Sequence, residues 1–90
     1  MSQEKTYGKR KLEPVVSPGQ CRAARALLDW TQEDLSAAAG LSAVSVRAFE
    51  KGGAIRESNA RRLRAVFETA GIEFIPENGG GAGVRLKRKS

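Results

Sequence analysis

The 90-residue sequence has no histidine and only one cysteine, so it lacks side chains that most enzymes use as acids, bases and nucleophiles. Cys21 has no partner for a disulfide within the chain, and its place beside alanines and leucines favours a buried apolar role. No cluster of residues has the spacing of metal ligands. We therefore expect no enzymatic activity, no metal and no cofactor.

Long apolar runs are also missing. No segment approaches the ~20 apolar residues needed to span a membrane, and the polar start of the sequence lacks the apolar segment of a secretory signal. The hydrophobic content of 40% is enough for one small folded domain. These features predict a single domain in the cytoplasm, without a membrane partner.

Basic residues outnumber acidic ones at both ends of the chain, and the whole excess of positive charge lies there. The net charge is +6: residues 1–13 carry four basic and two acidic side chains, residues 85–90 carry four basic ones and no acidic one, and residues 14–84 carry eight of each. Such an excess suggests an anionic partner, for instance a nucleic acid.

Residues 1–16 are predicted to form a flexible basic arm, since they mix charges with Gly8 and Pro14 and show little helical periodicity. Lys9, Arg10 and Lys11 could touch phosphate groups. A solvated leader without a dedicated function is the alternative interpretation.

Two helices are predicted at the ends of a domain that spans residues 17–71. Ser17 and Gln20 form a capping box, with Pro18 at the first helical position, for a helix that runs to about Asp29. Ser58 is predicted to cap the last helix, which ends before Gly71. Apolar residues at helical spacing predict the inward stripe of each helix. These residues are Cys21, Ala24, Leu27 and Leu28 in the first helix, and Leu63, Val66, Phe67 and Ala70 in the last. Arg61, Arg62 and Arg64 predict a solvated face on the last helix.

Residues 32–51 predict two short helices joined by a sharp turn. The first runs from Gln32 to about Ala38 after a Thr31 cap, and the second runs from a Ser42 cap to about Lys51. Gly40 supplies the positive φ that the turn requires. Small residues, Ser36 and Ala39, and inward apolar residues, Leu35, Leu41, Val46 and Phe49, allow the two helices to pack at a steep angle as a helix-turn-helix.

The segment from about residue 21 to residue 72 resembles the Cro/C1-type (XRE) family of bacterial and phage regulators. The matching features are Gln32 at the start of the second helix, Gly40 in the turn, and the run Glu50, Lys51, Gly52 at the end of the third helix. Ser36 departs from the usual alanine but is also small. The resemblance implies a mainly α, four-helix lambda-repressor-like domain, in which Arg25 forms an ion pair with Glu50.

The resemblance also implies a sequence-specific DNA-binding transcriptional regulator, a repressor for example, that binds double-stranded DNA as a homodimer and is associated with the nucleoid. Gln32 would hold a phosphate, with an exposed helix-starting residue as the alternative. Ala43 and Val44 can only contact thymine methyl groups, whereas Arg47 can grip guanine or touch phosphate alone. The predicted DNA-binding residues are Thr31, Gln32, Ser42, Ala43, Val44, Ser45, Arg47, Lys51 and Arg56.

Residues 72–90 depart from the family, which often continues with a fifth helix. A β-prone run at 72–75, a turn-rich stretch at 76–83 and apolar-basic alternation at 84–87 predict a short β-hairpin or strand followed by a basic tail. The glycine-rich stretch 79–83 lacks the lysine and following helix of a phosphate-binding loop, so we interpret it as a flexible turn. An alternative function is therefore that of an antitoxin or antiactivator, a protein-interaction module whose hairpin binds a protein partner.

Overall fold

The computed structural model describes residues 15–87 and consists there of four helices followed by a two-stranded antiparallel hairpin. The predicted mainly α fold with a C-terminal hairpin is thereby confirmed. Lys9, Arg10 and Lys11 of the predicted arm and the last residues of the basic tail lie outside the described residues. The elements are α1 Pro18–Leu28, α2 Gln32–Ala39, α3 Ala43–Glu50, α4 Glu57–Thr69, β1 Ile72–Ile75 and β2 Gly83–Leu86.

The first three helices begin at the predicted caps. The Ser17 hydroxyl accepts a hydrogen bond from the Gln20 backbone at 3.0 Å, and the Gln20 side chain accepts one from the Ser17 backbone at 2.9 Å. Thr31 caps α2 in the same reciprocal way with Asp34, and Ser42 caps α3. Each cap satisfies backbone N–H groups that have no partner within the helix.

The predicted cap of α4 is wrong. The helix begins at Glu57 with Arg56 in the N-cap position, and no side chain caps it. Ser58 lies inside the first turn because the extended backbone of Arg56, with φ −65° and ψ 144°, leads directly into the helix. Glu57 is favourable there since an acidic side chain interacts well with the positive end of the helix dipole.

Gly40 ends α2 and turns the chain into α3. Its φ is +70°, a left-handed conformation in which a Cβ would be strained. The backbone N–H of the next residue, Leu41, donates to the carbonyl of Ser36 at 3.0 Å and closes the turn. Ala39 is buried and Ser36 is half-buried, so small side chains do lie on the inner side of α2.

One hydrophobic core joins all four helices and the hairpin. The predicted stripes of α2, α3 and α4 contribute to it, and Leu41 packs against it while partly exposed. Two expectations differ from the structure: Val16, assigned to the flexible arm, is buried, and Leu27, assigned to the inward stripe, is 44% exposed. Leu27 lies about 60° around the helix from Ala24, at the margin of the buried face. The buried apolar residues are Val16, Cys21, Ala24, Leu35, Ala39, Val46, Phe49, Ala60, Leu63, Phe67, Ile72 and Phe74.

The hairpin is held by the helices. Phe74 pairs with Val84 across the two strands and is buried against Phe67 of α4, with ring centroids 6.3 Å apart. Trp30 stacks on the same Phe67 ring at 5.9 Å and packs against the core. The Gln20 side chain of α1 donates to the carbonyl of Gly83 at 3.0 Å. Two strands alone are marginal in water, and these contacts supply the missing support.

Within residues 15–87, no helix is long and apolar enough to cross a membrane.

Candidate nucleic-acid interface

Helix α3 has two chemically different sides. Val46, Phe49 and Glu50 face the interior and are buried. The opposite side carries the residues predicted to meet bases, and apart from the half-buried Ala43 they are exposed, Val44 to 69%. This side is formed by Ala43, Val44, Ser45, Arg47, Ala48 and the C-cap residue Lys51.

The two serines at the start of α3 are bonded to each other. The Ser42 hydroxyl accepts from the Ser45 backbone N–H at 3.1 Å and donates to the Ser45 hydroxyl at 2.9 Å. Ser42 is therefore committed to the helix cap, and only the hydroxyl of Ser45 keeps a free hydrogen for an external acceptor. The hydrogen-bonding capacity at the start of α3 is accordingly small.

Arg47 is the basic side chain in the middle of the exposed side of α3. Its Nη2 atom lies 3.8 Å from a carboxylate oxygen of Glu33, at the start of α2. Both side chains are largely exposed, 44% for Arg47 and 70% for Glu33, so the pair is weak and easily exchanged for another partner. Arg47 is therefore oriented by Glu33 but remains accessible.

Glu50, at the buried end of α3, is the centre of a hydrogen-bond network. Its carboxylate accepts from Arg25 at 2.7 and 2.8 Å, from the Cys21 thiol at 3.0 Å and from the Gln32 side chain at 3.0 Å. The side chain of Arg22 also donates to the Glu50 backbone carbonyl. The ion pair implied between Arg25 and Glu50 is present, and the network connects α1, α2 and α3.

The network keeps Glu50 ionised although it is only 3% exposed. Burial alone would raise the pKa of this carboxyl, but the hydrogen bonds from Arg25, Cys21 and Gln32 outweigh it and lower the pKa below its ordinary value. Burial, together with the hydrogen bond to Glu50, raises the pKa of the Cys21 thiol far above its usual range. Cys21 is thus a protonated donor at neutral pH.

Sequence reasoning missed the hydrogen bonds that Cys21, Arg22 and Gln32 make in this network. Cys21 is buried as expected, yet it also acts as a hydrogen-bond donor, and Arg22 had no assigned role. A signal was available, because Cys21 and Arg22 lie four and three residues before Arg25 and so share one side of α1 with it.

Gln32 is half-buried and its amide is already bonded to Glu50. A side-chain amide has two N–H donors, so one remains for an external acceptor such as a phosphate oxygen. Thr31 caps α2 by accepting from the Asp34 backbone at 2.9 Å, and its hydroxyl hydrogen remains for an external acceptor. The interpretation of Gln32 as a simple exposed helix starter does not fit its contacts.

Beyond α3, Arg56 is exposed at the start of α4. Arg61 and Arg64 form ion pairs with Glu57 and Glu68 one helical turn away along α4, at 2.6 and 3.0 Å. The predicted solvated face therefore holds for Arg61.

Arg64 departs from that picture. Its guanidinium lies 4.6 Å from the centroid of the Phe74 ring, and it donates to the Val15 carbonyl at 3.0 Å. It is a structural contact between α4, β1 and the segment before α1.

No group of three or more histidine, cysteine, aspartate or glutamate residues is placed to hold a metal ion in the described part of the chain.

Four capped or charge-stabilised helices, with a glycine turn between α2 and α3 and an exposed side on α3, define a helix-turn-helix domain. The model of a helix-turn-helix family matches residues 22–74, more than half of the chain, and the protein belongs to this family, the Cro/C1-type or XRE family. Among curated proteins, no sequence matches the chain. Family membership supports a DNA-binding regulator of the XRE type.

Proposed function

We propose that the protein is a sequence-specific transcriptional regulator that inserts α3 into the major groove of double-stranded DNA. The observation that carries the proposal is the exposed side of α3, where Val44, Arg47 and Lys51 project from a helix whose other side is fixed in the core. An α-helix fits the major groove, and the residues at its N-terminal end are those that reach base edges in this type of motif.

Direct readout is limited to few groups. Arg47 can donate two hydrogen bonds to the O6 and N7 atoms of guanine once it leaves Glu33, and Ser45 can donate one. Ala43 and Val44 contribute apolar contacts alone. Sequence-dependent DNA shape therefore supplies part of the discrimination.

Phosphate contacts supply much of the affinity. Thr31 and Gln32 precede α3 in the chain, at the start of α2, and Lys51 and Arg56 follow it. The described residues carry ten basic and eight acidic side chains, a balance of only +2, so the basic ends of the chain add to this attraction. These contacts position the domain without specifying sequence.

A homodimer on a roughly palindromic operator completes the proposal. One α3 helix reads only a few base pairs, and two-fold pairing of two subunits places two such helices about 34 Å apart, one turn of DNA. A protein with this function acts in the cytoplasm, at the nucleoid. Sedimentation of the protein with and without a two-half-site duplex measures the stoichiometry, and one subunit on a bound palindrome contradicts the homodimer.

Selection of bound duplexes from a random library tests the function itself. We expect recovery of a motif with two related half-sites, and specific retardation of that duplex in gel shifts at ~150 mM salt. If the recovered duplexes have random sequences and bind no better than the starting library, the proposal is contradicted. A Ser45→Ala, Arg47→Ala double variant is the matched control, since it removes the free donors of α3 and leaves the core unchanged.

A protein-binding role of the hairpin is the second candidate function. It is favoured by Leu86, which is 48% exposed at the end of β2, beside a basic side chain at Lys87. An antitoxin or antiactivator would use such a strand to bind another protein. Limited proteolysis distinguishes the two functions. If the hairpin binds a protein, it becomes protected from cleavage when that partner is added and stays unprotected when only DNA is added.

A further inference from the structure

Val44 is the most exposed large hydrophobic side chain in the described residues, at 69%, against 44% for Leu27 and 48% for Leu86. It lies in the first turn of α3 and does not stabilise that turn. A β-branched residue has lower helix propensity than alanine, and Val44 belongs neither to the buried core nor to the partly buried residues packed against it. Neither folding nor packing accounts for a valine at this position.

The neighbours of Val44 make the same side of α3 poor in hydrogen bonds and rich in methyl groups. Arg47 and Ala48 lie three and four residues later, so all three side chains share one side of the helix. The Ser42 hydroxyl, which precedes them, is committed to the cap and to Ser45. The side thus presents a branched apolar group beside one guanidinium.

The major groove contains one apolar feature that distinguishes base pairs, the methyl group on C5 of thymine. 5-Methylcytosine carries its methyl group on the same ring atom, so it presents the same feature in a C·G pair. Guanine, in turn, presents the two acceptors that suit a guanidinium. Side chains three residues apart on a helix are about 5–6 Å apart at Cβ, close enough to reach adjacent base pairs stacked 3.4 Å apart.

We infer that α3 is a reader of C5-methylated pyrimidines: Val44 contacts the methyl group of thymine or 5-methylcytosine while Arg47 binds a neighbouring guanine. The inference rests on the proposed function and names the DNA feature that this site recognises. It makes binding sensitive to cytosine methylation at a C·G pair in the position that Val44 reads.

The test uses the full chain and duplexes made from the selected motif. Each thymine is replaced in turn by deoxyuridine, which removes only the methyl group, and each cytosine by 5-methylcytosine, which adds only that group. Loss of one buried methyl contact corresponds to about 0.8 kcal/mol, or about fourfold in Kd at one half-site and about fifteenfold at two. We expect deoxyuridine at one motif position to weaken binding by these factors. A duplex with 5-methylcytosine at that position should bind about fourfold better per half-site than a duplex with cytosine there.

Two variants assign the effect to Val44. Val44→Ala folds readily, since alanine favours helix, and it should bind the thymine and deoxyuridine duplexes equally. Leu27→Ala, an apolar truncation of an exposed side chain on α1, should keep the wild-type ratio.

Equal binding of thymine and deoxyuridine duplexes at every motif position overturns the inference while specific binding, and so the proposed function, stands. A ratio that persists in Val44→Ala also overturns it, because another residue then reads the methyl group. Failure to select any motif contradicts the proposed function itself and the inference with it.

Discussion

The guanidinium of Arg25 grips the carboxylate of Glu50 with two hydrogen bonds, Nη2 to Oε1 at 2.7 Å and Nε to Oε2 at 2.8 Å. This pair connects α1 to the end of α3, and the same carboxylate binds Gln32 at the start of α2. A buried and fully hydrogen-bonded ion pair fixes geometry more than it adds stability. The orientation of the exposed side of α3 therefore depends on a buried carboxylate.

Glu50→Gln should lower the free energy of unfolding by about 3 kcal/mol, because Arg25 then keeps its charge without a carboxylate partner. Urea denaturation followed by circular dichroism measures the change. Glu68→Gln, which removes an exposed carboxylate paired with Arg64 along α4, should cost less than about 1 kcal/mol. Equal losses of unfolding free energy in the two variants would show that the buried Glu50 pair stabilises the fold no more than an exposed pair does.

Acid should destabilise the protein through the same carboxyl. The pKa of Glu50 is lower in the folded state than its ordinary value of 4.5, so its contribution to stability is complete above about pH 4.5 and is lost as the pH falls through the lowered value. The urea concentration at the unfolding midpoint, measured from pH 7 to pH 2, should therefore decrease at acidic pH. This decrease should be less steep in Glu50→Gln.

The contribution of Glu73 to the acid response has to be distinguished from that of Glu50. Its pKa is also lowered, by the hydrogen bond and charge of Arg85 on the neighbouring strand, so Glu73→Gln is the companion variant. If Glu50→Gln kept the full wild-type slope, the acid response would belong to other carboxyls.

Gly40→Ala should lower the free energy of unfolding by about 1–2 kcal/mol, since alanine must adopt the left-handed φ of +70° that ends α2. Gly80→Ala is the matched control: its φ is not in the left-handed region and a Cβ there would meet no atom within 4 Å. Thermal or urea unfolding of both variants checks the difference. A neutral Gly40→Ala would mean that the turn relaxes to another backbone conformation.

Arg47→Ala should weaken binding to the selected motif by about 1–3 kcal/mol and relax the preference at one base pair. Lys51→Ala should weaken binding to all sequences by similar factors and reduce the salt dependence, as expected for a phosphate contact. Fluorescence anisotropy with the motif and a scrambled duplex, at several salt concentrations, separates the two effects. Unchanged specificity in Arg47→Ala would reassign Arg47 to phosphate.

Glu33→Gln should strengthen binding to both duplexes, because the carboxylate lies 3.8 Å from Arg47 and must be displaced or repelled when phosphates approach. The gain should be within about fivefold, since an exposed pair contributes no more than about 1 kcal/mol. Glu57→Gln makes the same change of charge on α4, beside Arg61. A gain no larger than in this control would show that Glu33 does not act on Arg47.

Local sequence predicted those features that depend on neighbouring residues. Ser17, Thr31 and Ser42 were identified as caps because each bonds a backbone group three residues away, and the α2–α3 turn followed from Gly40. The predicted Ser58 cap was wrong because α4 begins one residue earlier, at Glu57, where the extended backbone of Arg56 leads into the helix. The outward position of Val44 and Arg47 followed from helical spacing, but the contact of Arg47 with Glu33 did not.

By itself, the sequence determined the helix starts and the glycine turn, the location of the excess charge and the apolar character of the reading helix, since these depend on residue type and on spacing within one element. Only the tertiary structure decided that Gln32 and Cys21 bind Glu50 and that Gln20 holds β2. Those contacts join residues 18 to 63 positions apart. Their geometry exists only after packing has brought the elements together, and no local propensity encodes which polar group will lie within 3 Å of another.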